Sequence, residues 1–215
     1  MTAKYRRRVF SPRTIDEYIR SQTVRKLQIG AGPHSPPGWL NTDITPRQGQ
    51  AYLDAAKPFP LPDGSFHYVF AEHMIEHLTY EEGIQMVRES HRILAPGGKI
   101  RLATPDLLKL VNILYGPATD QVLHFINFKI DMHSMPETPD PECYVVNSQM
   151  GGEHKFLYTP KMLRAVLEKS GFQEVRQYAP GQSDDPQLST VEFRPRTTYR
   201  EMDAYETMIF QGVKR

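Results

Sequence analysis

The sequence predicts an α/β fold built on a mainly parallel, doubly wound sheet with helices on both faces. Three observations predict it. KLQIGAG (26–32) reads as a short buried strand running into a tight turn with glycines at 30 and 32. NTDI (41–44) reads as a second short strand that ends on an acid, Asp43. Strand-like and helix-like segments then alternate, and two final strands, 172–178 and 207–214, are placed to pair antiparallel at one edge.

Each element has its own local warrant. Residues 1–10 read as a loose arm. Ser11-Pro12, Thr14 and Glu17 supply helix-start chemistry, with a capping box expected at Thr14/Glu17. Ile15, Tyr18 and Ile19 form one apolar stripe, so a helix is expected over 12–22. Strands follow at 26–30 and 40–44. The segment between them holds Pro33, Pro36, Pro37 and Gly38. A helical crossover takes about a dozen residues or more, so the first crossover is expected to be shortened to a Pro-rich loop. Residues 51–54 read as a third strand, 59–66 as turn chemistry around Pro62-Asp63-Gly64, and 67–71 as a strand entering the core.

Thr79 and Glu82 make a second capping box. Behind it Ile84, Val87, His91 and Leu94 share one helical face. Pro96-Gly97-Gly98 stops that helix, and 99–105 is the next strand. Asp106 is placed to cap a helix over 107–115, with another over 118–130. Residues 131–153 show no periodicity, which in a compact domain points to a lid or binding loop. Thr159-Pro160 opens a helix with Met162, Leu163, Val166 and Leu167 inward, closed by Gly171.

A chain of 215 residues is expected to form one domain, 1–215, with 1–25 as basic arm and N-terminal helix and 107–153 as an insertion or lid over an acceptor site. The chain is 39% hydrophobic and 24% charged, the balance of a globular protein rather than a disordered one. No apolar run reaches the roughly 18 residues that span a bilayer, and the basic N-terminus lacks a signal peptide's apolar stretch. Cys143 is the only cysteine, so an intrachain disulfide and a cysteine metal cluster are excluded, and the cytoplasm is the expected compartment. Residues 1–26 carry eight basic groups against two acidic ones; the rest carries 18 against 23. The basic arm suits an acidic partner or phosphate, or is simply a solvated tail.

Ligands of open α/β sheets bind at the carboxyl ends of the strands. Glycines 30 and 32 let a ligand approach bare backbone, and an acid at the tip of the neighbouring strand can take both hydroxyls of a ribose. That is equipment for a nucleoside-containing ligand. A dinucleotide fold asks for a third glycine and for an acid about 20 residues further on. Here Ser35 stands at the third glycine's place, Asp43 comes early, and no helix N-terminus is expected there to neutralise a pyrophosphate. S-adenosylmethionine has no phosphate and tolerates the short crossover.

With these residues in place, the chain resembles the class I S-adenosylmethionine-dependent methyltransferases. LQIGAG (27–32), YLDAAKPFPLPDGSF (52–66), VFAEHMIEHL (69–78), HRILAPGGKIRLATPD (91–106) and HKFLYTPKMLRAVLEKSGF (154–172) carry the resemblance. It implies a Rossmann-like seven-stranded sheet with an antiparallel last strand and S-adenosyl-L-methionine as cofactor. It implies that Gly30, Ala31 and Gly32 face the methionine part, Asp43 the ribose, and Asp54 with Ala55 the adenine. Glu72 and His73 are then placed beside the amino-acid end and the sulfonium. Gln28 replaces the acid that opens the family's first motif, and His34 stands where a further glycine is usual.

The expected reaction is methyl transfer to oxygen or nitrogen of a small-molecule or glycan-precursor acceptor. A base near neutral pKa suits such a displacement. His154 ranks first, then His73, then His133. Phe125, Phe128, Met132, Met135 and Tyr144 are acceptor-pocket candidates, with Phe125 and Phe128 reading better as helix core. Tyr18 either closes over the cofactor or staples its helix to the sheet. His73-Met74-Ile75-Glu76-His77 fits H-x-x-E-H, an inverted zinc-peptidase pattern. It directly follows a strand rather than lying on a helix, so no metal is expected. The competing readings are a non-catalytic cofactor-binding protein, a nicotinamide oxidoreductase, and a nucleic-acid methyltransferase using the basic arm. Nucleic acid is not the expected partner.

Overall fold

In the computed structural model, residues 11–189, 191–192 and 205–215 are described. The arm 1–10 lies outside them. Seven strands form one sheet: β1 (Lys26–Ile29), β2 (Leu40–Asp43), β3 (Ala51–Tyr52), β4 (Phe66–Glu72), β5 (Leu94–Pro105), β6 (Phe172–Tyr178) and β7 (Thr207–Lys214). Their order is β3-β2-β1-β4-β5-β7-β6. β1 to β5 run parallel. β7 inserts antiparallel between β5 and β6. The last strand is therefore antiparallel, as the resemblance implied. The first crossover is a helix-free loop over 30–39.

The helices are α1 (Ser11–Ser21), α2 (Tyr80–Ile93), α3 (Leu107–Tyr115), α4 (Asp120–His133), α5 (Pro141–Met150) and α6 (Pro160–Lys169), with a 3₁₀ turn at Ile75–His77. Five starts follow from side chains, Thr119 capping α4 among them. Thr79 and Glu82 close the expected capping box on α2, with Thr79 N–H donating to Glu82 Oε2 and Glu82 N–H to Thr79 Oγ1. Asp106 caps α3, Asp140 caps α5, and Thr159 before Pro160 caps α6. Two expectations are corrected. Helix α1 already starts at Ser11, so Thr14 and Glu17 lie inside it rather than at its cap. Residues 131–153 are not irregular throughout, because Pro141–Met150 is helical. Its apolar signal is weak, with Val145, Val146 and Gln149 as its buried residues.

Strand alternation sorts the sheet into two faces. Leu27, Ile29, Val69, Ala71, Ile100 and Leu102 join one core with Ile15 of α1, Met86, Val87 and Ile93 of α2, and Leu163, Val166 and Leu167 of α6. Phe70 meets Trp39, Leu188 and Val191 in a separate cluster, with Tyr68 packed against it. Tyr18 settles as a staple: its ring stacks on Phe66, and its hydroxyl accepts from Lys26 N–H at 2.8 Å and lies 3.0 Å from the carbonyls of Lys26 and Gly38.

Helices α3, α4 and α5 build a second cluster around Leu110, Ile113, Val122, Phe125, Val145 and Tyr205. Phe125 is fully buried there, and Phe128 and Met135 pack against it, whereas Met132 and Tyr144 are exposed. A buried ion pair ties this layer to the start of β7, with Lys129 Nζ 2.8 Å from Glu206 Oε1. Gln149 bridges the pair, its amide nitrogen 3.2 Å from Glu206 Oε2 and its oxygen 3.3 Å from Lys129 Nζ. Glu206→Ala leaves the ammonium buried and unpaired. It is expected to cost about 3–5 kcal/mol in urea unfolding, well above the cost of a surface substitution.

Candidate functional site

The parallel strands end on one rim, and a cavity of about 860 Å³ opens there. Its floor comes from the first two strand ends. Gly30 has φ +68°, and a Cβ on it would lie 2.2 Å from Met74 Cγ. Only glycine fits both the backbone and the space. Gly32, at φ +52°, has nothing within 4 Å of the place a Cβ would take, so its backbone faces open room. Gly32 N–H donates to Asp43 Oδ2 at 2.9 Å, and Thr45 N–H donates to Asp43 Oδ1 at 2.7 Å. The acid thus clamps the glycine turn to the end of β2. Thr45 Oγ1 also donates to Oδ1 at 3.1 Å, and since a carboxylate has about four acceptor positions, Asp43 keeps room for one more donor.

The adjoining wall is Leu53, Asp54 and Ala55, with Ile44 opposite. Asp54 Oδ1 accepts from Ala56 N–H, and Asp54 Oδ2 pairs with Lys57 Nζ at 3.0 Å. Apolar Ile44, Leu53 and Ala55 beside a polar rim suit a flat base with edge hydrogen bonds. Of the residues expected to hold the cofactor, Gly30, Gly32, Asp43, Asp54, Ala55 and His73 line the cavity. Ala31 and Glu72 do not; both are buried, and Ala31 N–H is spent on Thr42 O. Gln28 is buried on β1, and its Oε1 has no hydrogen-bond partner. A carboxylate at that dry position would carry an uncompensated charge, whereas a neutral amide costs less.

The far side is built on EHMIEHL. His73 sits at the end of β4 with φ +45°. Its Nε2 lies 3.0 Å from Thr207 Oγ1 and its Nδ1 3.3 Å from Glu76 Oε1. Glu76 is completely buried. Its Oε2 accepts from Thr104 Oγ1 at 2.9 Å, and its backbone carbonyl accepts from Lys155 N–H and Phe156 N–H. Burial works to raise the Glu76 carboxyl; the His73 hydrogen bond and charge, with a smaller contribution from His77, outweigh it and hold the group below the ordinary carboxylate range.

His77 lines the cavity, and its Nδ1 lies 3.1 Å from Glu153 O. His154 stands behind it, the two rings edge-on with centroids 5.0 Å apart, and His154 Nδ1 lies 2.6 Å from Gln149 O. Gly152, Glu153 and Lys155 complete the mouth, with Lys155 Nζ 3.4 Å from Glu82 Oε2. His154 therefore reaches the site through His77 rather than lining the cavity. His133 ends α4, and its side chain lies outside the described residues. Sequence reasoning misses Met74, Leu78, Lys57, Glu82 and Lys155 as cavity residues. The first two are visible as part of the EHMIEHL segment, while the charged three give no motif signal.

Residues 41–102 match the family model of a methyltransferase domain. None of the curated proteins matches the chain. Among solved structures, an Archaeoglobus fulgidus SAM-dependent methyltransferase is 16% identical with a TM-score of 0.52, over 97% of this chain and 94% of that one. A Mesorhizobium loti S-adenosylmethionine-dependent methyltransferase is 18% identical at 0.51, over 94% and 98%. Haemonchus contortus phosphoethanolamine N-methyltransferase 2, in complex with S-adenosyl-L-methionine, is 14% identical at 0.46 over 96% of this chain. This chain spans about half of that protein's length (52%). The family model matches a central segment, and the Archaeoglobus and Mesorhizobium structures share the fold, so the chain is similar to S-adenosylmethionine-dependent methyltransferases in that segment and in architecture.

Glu76 makes a pH prediction. Because its folded pKa is depressed, its stabilisation is full above the ordinary carboxylate value of 4.5 and is lost as pH falls through the lower folded value. Urea unfolding at pH 7, 5 and 3 is expected to show wild type and Glu76→Gln converging in stability as the solution is acidified.

Proposed function

We propose that the chain binds S-adenosylmethionine in the 860 Å³ cavity and methylates an oxygen or nitrogen of a small-molecule or saccharide acceptor. The observation that carries this reading is the strand-end rim itself. Bare glycine backbone, Asp43 and the apolar-walled Asp54 segment line it together with His73, His77, Gly152, Glu153 and Lys155. The first three match an amino acid, a ribose and an adenine in sequence. Gly30 and Gly32 border the methionine part, Asp43 takes a ribose hydroxyl, and Asp54 with Ala55 flanks the adenine. The remaining residues then face the sulfonium methyl and the acceptor.

Methyl transfer is a direct displacement, in which the S–CH₃ bond breaks as the O–CH₃ or N–CH₃ bond forms. The protein supplies alignment and a destination for the acceptor's proton. Both nitrogens of His73 are engaged, which makes it the poorer base. His77 and His154 each commit only Nδ1 to a carbonyl. A carbonyl only accepts, so Nδ1 is the donor in each ring and Nε2 is the nitrogen left uncommitted by these bonds. The 107–153 segment is read as a lid whose 151–153 end reaches the acceptor side.

Titration calorimetry with S-adenosylmethionine, S-adenosylhomocysteine and NADH tests the cofactor assignment. Binding of both adenosyl ligands in the micromolar range, abolished in Asp43→Ala, is expected; preference for NADH overturns the reading. With an acceptor in hand, His154→Gln is expected to lower turnover by about 10²-fold or more while cofactor affinity is kept. Unchanged turnover removes His154 from the acceptor side.

A further inference from the structure

We infer that Glu76, His77 and His154 form a binding site for one divalent transition-metal ion, of the zinc class, at the acceptor side of the cavity. One carboxylate oxygen of Glu76 and one ring nitrogen from each histidine lie within 4.8 Å of one another. Among the described residues this is the one such group of three. Three bonds of about 2 Å converging tetrahedrally bring such atoms to roughly 3.3 Å, a contraction that side-chain rotation supplies.

Three further observations support an ion here. First, both imidazoles are arranged as ligands. Each donates Nδ1–H to a main-chain carbonyl, His77 to Glu153 and His154 to Gln149. This outer hydrogen bond leaves Nε2 for a metal; with an ion bound, the two rings are ligands rather than bases for the acceptor's proton. Second, Glu76 is fully buried, and its Oε1 lacks a hydrogen bond of good geometry, with His73 Nδ1 the neighbour at 3.3 Å. A buried carboxylate with a poorly used oxygen is what a cation completes. Third, the ligands are held together by the backbone. Lys155 and Phe156 donate their N–H groups to Glu76 O, which locks the His154 loop onto the turn that carries Glu76 and His77.

Two imidazoles and a carboxylate favour zinc-class ions over magnesium or calcium, which prefer all-oxygen shells. Three protein ligands leave a fourth position, the pattern of catalytic rather than structural sites. His77 lines the cavity, so that position is within reach of an acceptor's oxygen or nitrogen. The triad differs from the H-x-x-E-H reading of the sequence. His73 turns to Thr207 instead, and His154, from a segment 77 positions beyond His77, takes its place.

The inference rests on the methyltransferase reading only for what the cavity holds. Untagged protein, stripped with chelator and dialysed, is titrated with Co(II) and then Zn(II). Expected are one ion per chain, the visible bands of four-coordinate Co(II), and their loss on adding Zn(II). His77→Gln and His154→Gln are each expected to weaken binding by about 10²-fold or more, with His124→Gln, on the exposed face of α4, unchanged. Circular dichroism and S-adenosylhomocysteine titration accompany every variant. Lack of a stoichiometric ion, or wild-type binding by the two histidine variants, overturns the metal site. Metal binding without S-adenosylhomocysteine binding overturns the cofactor reading instead and leaves the metal site standing.

Discussion

Glu76 is the residue on which the rim depends. It is a charged side chain with no exposure, a state that costs several kcal/mol unless partners surround it. Those partners come from three parts of the chain: His73 at the end of β4, Thr104 near the end of β5, and the loop that donates Lys155 and Phe156 N–H to its carbonyl. One residue thus joins two adjacent strand ends to the segment behind the α3–α5 layer. The loop cannot move away without leaving that main-chain carbonyl short of both donors. The sharp exit from β4 serves the same purpose. His73 adopts φ +45°, uncommon for a residue with a side chain, and the turn carries Glu76 back beneath the strand.

Much of this was legible in local sequence because local chemistry decides it. Capping at Thr79/Glu82 and at Asp106 needs a side chain within three residues, and both formed. The strands followed from short apolar runs bounded by Gly and Pro, and the Pro-rich segment 33–38 excluded a helix in the first crossover. Gly30 was legible too, although the reason lies elsewhere: Met74, 44 positions on, fills the space that a Cβ needs. Where sequence reading fell short, a distant partner decided the outcome. Helix α5 carries little periodic signal of its own and is buried against α3 and α4. Thr14 resembled a cap only because the preceding turn of α1 could not be read.

The site shows the same division. The strand-end residues were chosen by position, since open α/β sheets gather ligands there, and most of them line the cavity. The direction of a side chain was not readable. Ala31 and Glu72 stand one position from cavity residues yet are buried outside the cavity lining. His154 was expected at the pocket mouth; its ring is turned to Gln149 and His77 and does not line the cavity. Ranking histidines by segment cannot register such a turn.

Asp43 illustrates why the absence of a phosphate-binding helix matters to the choice of cofactor. In a dinucleotide site the helix N-terminus both shapes the glycine turn and neutralises the ligand. Here the turn has no helix behind it, and the acid does the shaping: Asp43 receives Gly32 N–H on one oxygen and Thr45 N–H on the other. A carboxylate in that place adds negative charge where a pyrophosphate would lie, which repels a dinucleotide. It suits a ligand that presents hydroxyls and a positive sulfonium. The short crossover and the early acid are therefore one device: the acid holds the glycine turn that a helix would otherwise shape.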